Sequence, residues 1–172
     1  MSAETILQHD HRELDDLLRH AEEALFAGDS GTAFSKLDHF WVRLAVHIRA
    51  EHHHLFPAIQ NVTRQTTETR KLIESLRDDH NFFMHELANA VKAMRGITVE
   101  TESAVIETVG EIIGAVAERL AQHNDVEESE IYPLASKLLS NKEEDRLKDG
   151  IETELRNLPK RFNDSSDQAS AK

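Results

Sequence analysis

Two stretches of the chain, HIRAEHHHLFP from His47 and HNDVEESEIYP from His123, repeat one pattern. In each, a glutamate follows the histidine by four residues (Glu51, Glu127) and a proline follows it by ten (Pro57, Pro133). Helix positions i and i+4 lie on one face, a turn apart, so each stretch sets an imidazole beside a carboxylate. That face continues an apolar stripe, through Trp41 and Leu44 in one copy and Val116 and Leu120 in the other. Polar groups on a buried face are costly unless paired or coordinated. The chain is therefore committed to helices that pack around a polar centre.

The rest of the sequence supplies the helices. Glycine and proline are rare (6 and 3 of 172 residues), which leaves long stretches free to follow a helical period. A first helix is predicted over Ser2–Ala27, with Ser2 as cap, Gly28 as stop and a stripe of Leu7, His11, Leu14, Leu18, Ala21 and Leu25. A second begins near Asp29 or Ser30 and reads Phe34, Leu37, Trp41, Leu44, His47, Glu51 and His54 or Leu55, with Pro57 expected to bend or end it. A third starts at Thr66 or Thr67, reads Ile73, Leu76, His80, Phe83, Leu87, Ala90 and Met94, and closes at Gly96. A fourth starts near Thr101 and reads Val105, Val109, Ile112, Val116, Leu120, His123, Glu127 and Ile131, with Pro133 as its interruption. Four such helices on short connections predict an all-α, up-down-up-down four-helix bundle. The expected organisation is a bundle over residues 1–141, a short fifth helix over 142–158, and a disordered, polar tail over 159–172.

Composition narrows the chemistry. There is no cysteine, which excludes disulfides, thiolate metal sites and iron–sulfur clusters. The formal net charge of −12, without a dense basic run, argues against nucleic acid and anionic membrane surfaces as partners. No membrane span and no signal-type leader is seen, so a cytoplasmic location is expected. Histidine stands out at 11 residues, unevenly placed.

Helices one and three each carry Asp-His (Asp10-His11, Asp79-His80) with an apolar residue three positions on, so the chain reads as two similar helical hairpins. A pseudo-twofold between them would bring His11, His47, Glu51, His80, His123 and Glu127 to the bundle centre. Taken singly, His11 and His80 read as satisfied core histidines, and His47/Glu51 as a hydrogen-bonded helix pair. Taken together, the six read as a site for two metal ions, with the carboxylates placed to bridge. Mixed imidazole and carboxylate donors suit iron or manganese; zinc ranks lower because a six-ligand, two-ion interior is not its usual tetrahedral setting.

Other side chains are assigned from their register. His20, His39 and His53 fall off the stripes and read as surface residues, and His52 and His85 as surface or outer-shell groups. His9 lies two positions before His11 and cannot share its target; His11, between Leu7 and Leu14, is preferred. His54 and its counterpart Glu130 are left between additional ligand, outer-shell partner and channel lining. Tyr132 is read either as a hydrogen-bond donor into the site or as a packing residue.

The two HxxxE units with their aromatic-proline endings resemble the hemerythrin-like (HHE cation-binding) family over about Thr5–Leu139. The resemblance implies a four-helix bundle around a non-haem di-iron (Fe–O–Fe type) centre, Mn/Fe being an alternative, on the same six residues. It implies a small diatomic or peroxide ligand: O2, peroxide or nitric oxide. Met84 stands where oxygen-carrying hemerythrins place a further histidine, and the second motif ends on Glu127 at a spacing of four rather than an aspartate at five. These departures point away from simple oxygen carriage, toward relatives linked to nitric oxide, iron supply and iron–sulfur repair, or to peroxide handling. A module that senses, stores or donates iron is the competing implication.

Overall fold

The structure, a computed structural model, describes residues 1–62 and 66–163. Among these every regular element is a helix: α1 (Ala3–Phe26), α2 (Ser30–Ala50), a π-helical turn π1 (Glu51–Leu55), α3 (Phe56–Val62), α4 (Thr67–Arg95), α5 (Glu102–Val126), a second π turn π2 (Glu127–Ile131), α6 (Tyr132–Leu138), α7 (Asn141–Leu155) and α8 (Lys160–Asn163). The starts obey capping rules. Ser2, Asp29 and Thr66 each accept the backbone N–H three residues on, and Ser140 and Glu143 form a reciprocal capping box at α7. Gly28, at φ +74°, makes the tight reversal between α1 and α2 that a side chain would strain.

The four long helices pack in a closed ring, α1 on α2, α2 on α4, α4 on α5 and α5 on α1. Their buried stripes form two apolar clusters. One is built from Leu14, Leu18, Phe40, Leu44, Phe83, Leu87, Val116 and Leu120, the other from Leu7, Leu55, Phe56, Ile59, Ile73, Leu76, Ile131 and Tyr132. The stripes match expectation on α1 and α4. On α2 and α5 they are shifted: Phe40 and Ile113 are fully buried, whereas Trp41 and Ile112 are only partly covered.

Pro57 and Pro133 do not end their helices. The chain runs through each proline by widening one turn, so that the Phe56 N–H reaches the Glu51 carbonyl and the Tyr132 N–H the Glu127 carbonyl. Proline has no N–H for the ordinary i−4 bond, and a single π turn relieves the mismatch without breaking the rod.

The expected fifth helix is α7, anchored by buried Leu147 and Ile151 and packed on α1, α2 and π1. At the start of the segment expected to be a disordered tail, Lys160–Asn163 form a helical turn instead. Arg161 pairs with Asp38 at 3.0 Å, and Phe162 stacks on His39 with ring centres 5.1 Å apart. Residues 164–172 of that expected tail lie outside the described residues. None of the described helices is long and apolar enough to cross a membrane.

Candidate metal centre

The six candidate residues form a polar layer between the two apolar clusters. His11 falls between Leu7 and Leu14, His80 between Leu76 and Phe83, His47 after Leu44, and His123 after Leu120, so each helix drops one imidazole into the same slice. All six are buried; Glu51 and Glu127 have no exposed surface at all.

The layer divides into two halves. In the first, His11 Nε2 and His47 Nε2 are 3.1 Å apart, with Glu51 Oε1 3.3 Å from His47 and Glu127 Oε2 3.4 Å from His11. In the second, His80 Nε2 and His123 Nε2 are 3.0 Å apart, with Glu51 Oε2 3.3 Å from His80 and Glu127 Oε1 3.1 Å from His123. Each glutamate therefore gives one oxygen to each half. The donor atoms of His11, His47, Glu51 and Glu127 lie within 4.8 Å of one another, as do those of Glu51, His80, His123 and Glu127. Glu51 Oε2 and Glu127 Oε1 have no hydrogen-bond partner, the near histidine nitrogens being poorly aligned. Orphaned buried carboxylate oxygens are rare because desolvation is costly. A cation shared between them would remove that cost, and two nitrogens plus two oxygens per half suit a divalent or trivalent iron-type ion.

An outer ring holds the imidazoles; of its members, the sequence reading offers only His52 such a place, as the alternative to a surface position. Asp10 Oδ2 accepts His47 Nδ1–H at 2.8 Å, and its other oxygen, Oδ1, accepts from Arg43. Asp79 Oδ2 lies 3.1 Å from His123 Nδ1, while its Oδ1 is held by Arg119 at 2.6 Å. Glu128 Oε1 takes the His11 Nδ1 position at 2.8 Å, while His52 Nε2 takes that of His80 at 2.9 Å. Partners of this kind fix the rings, and the carboxylates among them, by accepting the Nδ1 proton, raise the basicity of the ligand nitrogen. The signal was present in the chain: each aspartate directly precedes a repeated histidine, and Glu128 and His52 each directly follow a repeated glutamate.

The π turns set the next positions. Because π2 widens the helix, Tyr132 comes round beside Glu127, five residues earlier. Its hydroxyl lies 2.9 Å from Glu51 Oε1, 3.2 Å from Glu127 Oε2 and 3.0 Å from His11 Nε2. Tyr132 thus does both things considered for it: it packs in a core cluster and places a phenol in the first half. Its counterpart is Phe56, stacked on His80 at 6.1 Å.

The remaining candidates lie outside the layer. His54 turns toward α7, its Nε2 3.8 Å from Glu154 Oε2, and fits there only because Gly150 has no Cβ. Glu130 is exposed, beside Glu68 and Leu72 of α4. Met84 packs partly buried against the first apolar cluster. His9, His20, His53 and His85 are on the surface.

Electrostatics follow the geometry. Burial disfavours an imidazolium at His47, but Glu51 and Asp10 outweigh it and hold that pKa well above the ordinary value. His123 is likewise raised, Glu127 and Asp79 prevailing over burial. His80, with little to oppose burial, falls to about 2. Burial and the charge of Glu127 push Glu51 up. Glu127 is pushed up by burial too, but the nearby imidazoles of His11, His123 and His80 hold it well below the ordinary carboxylate value. Burial and both glutamates drive the Tyr132 phenol well above its ordinary value.

A helical bundle whose buried middle layer presents two imidazole–carboxylate clusters defines a class, that of cation-binding helical proteins. The profile of the hemerythrin HHE cation-binding domain matches residues 2–135, and the chain belongs to that family. No match was found among curated proteins or among solved structures.

Proposed function

We propose that the chain is a non-haem di-iron protein that binds or reacts with O2, peroxide or nitric oxide in a cytoplasmic stress or iron-handling role. In this reading His11 and His47 hold one ion, His80 and His123 the other, and Glu51 and Glu127 bridge them. The observation that carries it is the split of each buried glutamate, one oxygen to each half. Two iron ions there would supply Lewis acidity and one-electron redox change to a small ligand. The chain's own residues set the conditions. The apolar clusters exclude bulk water, Asp10 and Asp79 orient imidazoles, and Tyr132 keeps an O–H on the oxygens of both glutamates. The short connections between α1 and α2 and between α4 and α5 favour the up-down-up-down order.

The test is elemental analysis of protein purified without chelators, beside a His47→Ala/His123→Ala variant. About two irons per chain, lost in the variant, is the expected result; no stoichiometric metal after anaerobic Fe(II) loading would refute it. An iron-sensing, storage or donor module is the second reading. It is favoured by α7, which packs on the turn that carries Glu51, meets it at His54, and is tied to the end of α2 by the Arg49–Glu154 ion pair. Iron-dependent protease sensitivity of α7 would support it, and identical digestion with and without iron would count against it.

A further inference from the structure

The two halves of the centre share a plan but differ in the direction of their hydrogen bonds. A neutral histidine that coordinates through Nε2 carries its proton on Nδ1, so its outer partner must accept. In the first half both outer partners are carboxylates, Glu128 on His11 and Asp10 on His47, which can only accept when ionised. With one proton on each ring, as coordination requires, they draw both protons outward and leave both Nε2 lone pairs facing in; any second proton on His47 is lost on loading, without a change of tautomer.

The second half has one such partner, Asp79 on His123. On the other side, Arg77 Nη1 lies 3.2 Å from His52 Nδ1. A guanidinium only donates, so His52 Nδ1 accepts and His52 Nε2 carries the proton. That proton points at His80 Nδ1, 2.9 Å away, which must then accept in turn. The His80 proton is left on Nε2, facing His123 Nε2 at 3.0 Å. With one proton on each ring, the bonds run unbroken from Arg77 through His52, His80 and His123 to Asp79. This order is complete in itself but puts a proton where a ligand lone pair is needed.

We propose that the Arg77–His52 relay makes the His80/His123 position the weaker and more readily exchanged of the two ion sites. The inference rests on the di-metal reading above. Coordination by His80 requires the tautomers of both His80 and His52 to invert and Arg77 to lose its acceptor. Coordination by His11 and His47 requires neither. Outer-shell partners of this kind alter metal affinity by about 10- to 100-fold, and a gap of that order is expected between the two sites. A centre built this way keeps one ion and gives up the other, which suits exchange with an iron-handling partner.

Two measurements test it. In metal-free protein, long-range 1H–15N correlation should show His80 as the Nε2–H tautomer and His11 as Nδ1–H; His80 found as Nδ1–H overturns the relay. Titration with Co(II) alone should show two steps, separated at least about tenfold. Arg77→Met, which removes the donor but keeps an apolar stem, should tighten the second step by about tenfold and leave the first unchanged. His52→Glu, which copies Glu128 at the matching position, should draw the two steps together. Glu128→Gln should weaken the first step alone. Two ions taken up in one indistinguishable step, or a gap that survives both Arg77→Met and His52→Glu, would refute the inequivalence while sparing the di-metal site. No uptake of Co(II) at all would instead refute the site, and the inequivalence with it.

Discussion

At the scale of single residues, the site is set by groups one bond beyond the candidate ligands. Asp10→Asn puts a side chain that can donate against His47 Nδ1, where an acceptor is required. Iron affinity should fall by about 10- to 100-fold. Exposed Asp16→Asn should leave it unchanged, both read by chelator competition. Tyr132→Phe removes the single O–H that three buried acceptors share. Hydrogen bonds to charged groups contribute about 1.5–3 kcal/mol, so the metal-free protein should lose stability on that scale in chemical denaturation. The protonation of His47 and His123 also makes a prediction of definite sign. Burial disfavours their charged forms, but the neighbouring carboxylates outweigh it, and both pKa values lie above the ordinary imidazole value. Their contribution to the metal-free fold is complete below that ordinary value and is lost as pH rises through the raised ones. Iron must displace these protons, so loading near neutral pH should release them, and affinity should weaken as pH falls. Calorimetry in buffers of different ionisation heat would measure the release; uptake with no proton exchange would contradict it.

At the scale of elements, the sequence made some features plain and concealed others for a physical reason. His11, His47, Glu51, His80, His123 and Glu127 were visible because each interrupts an apolar stripe at the register of a buried residue. The halts at Gly28 and Gly96 and the cap at Ser2 were visible because their chemistry is local. The π turns were not. A proline six residues past an inward glutamate reads equally as a stop or as a widened turn, and only packing of Phe56 and Tyr132 into the core decides between them. The role of Tyr132 depended on that decision, since an ordinary helix would carry a residue five positions on away from Glu127. The partners of the outer ring were harder to assign: Asp10, Asp79 and Glu128 recur beside the repeated motif, but they and His52 act across helices, and no single helix's period shows which imidazole each one meets. The helix α7 lies beyond the family-matched stretch yet closes the second apolar cluster with Leu147 and Ile151. Ile151→Ala removes a fully buried side chain there. It should cost about 2–5 kcal/mol in denaturant unfolding, with the metal-binding layer still formed.

At the scale of the whole molecule, the near-repeat of two helical hairpins does more than double a set of donors. Residues 1–62 contribute His11, His47 and Glu51, and residues 66–163 contribute His80, His123 and Glu127. Each half nevertheless takes one carboxylate oxygen from across the divide. Neither hairpin can therefore complete an ion's surroundings alone. One chain carries both pieces, the first described to residue 62 and the second from residue 66, so the ions need not recruit either from solution. Cutting the chain there and producing both pieces together should give fragments that reassemble far more tightly with iron than without it. The pair would then behave as a heterodimer seated on its shared apolar clusters and locked by the metal.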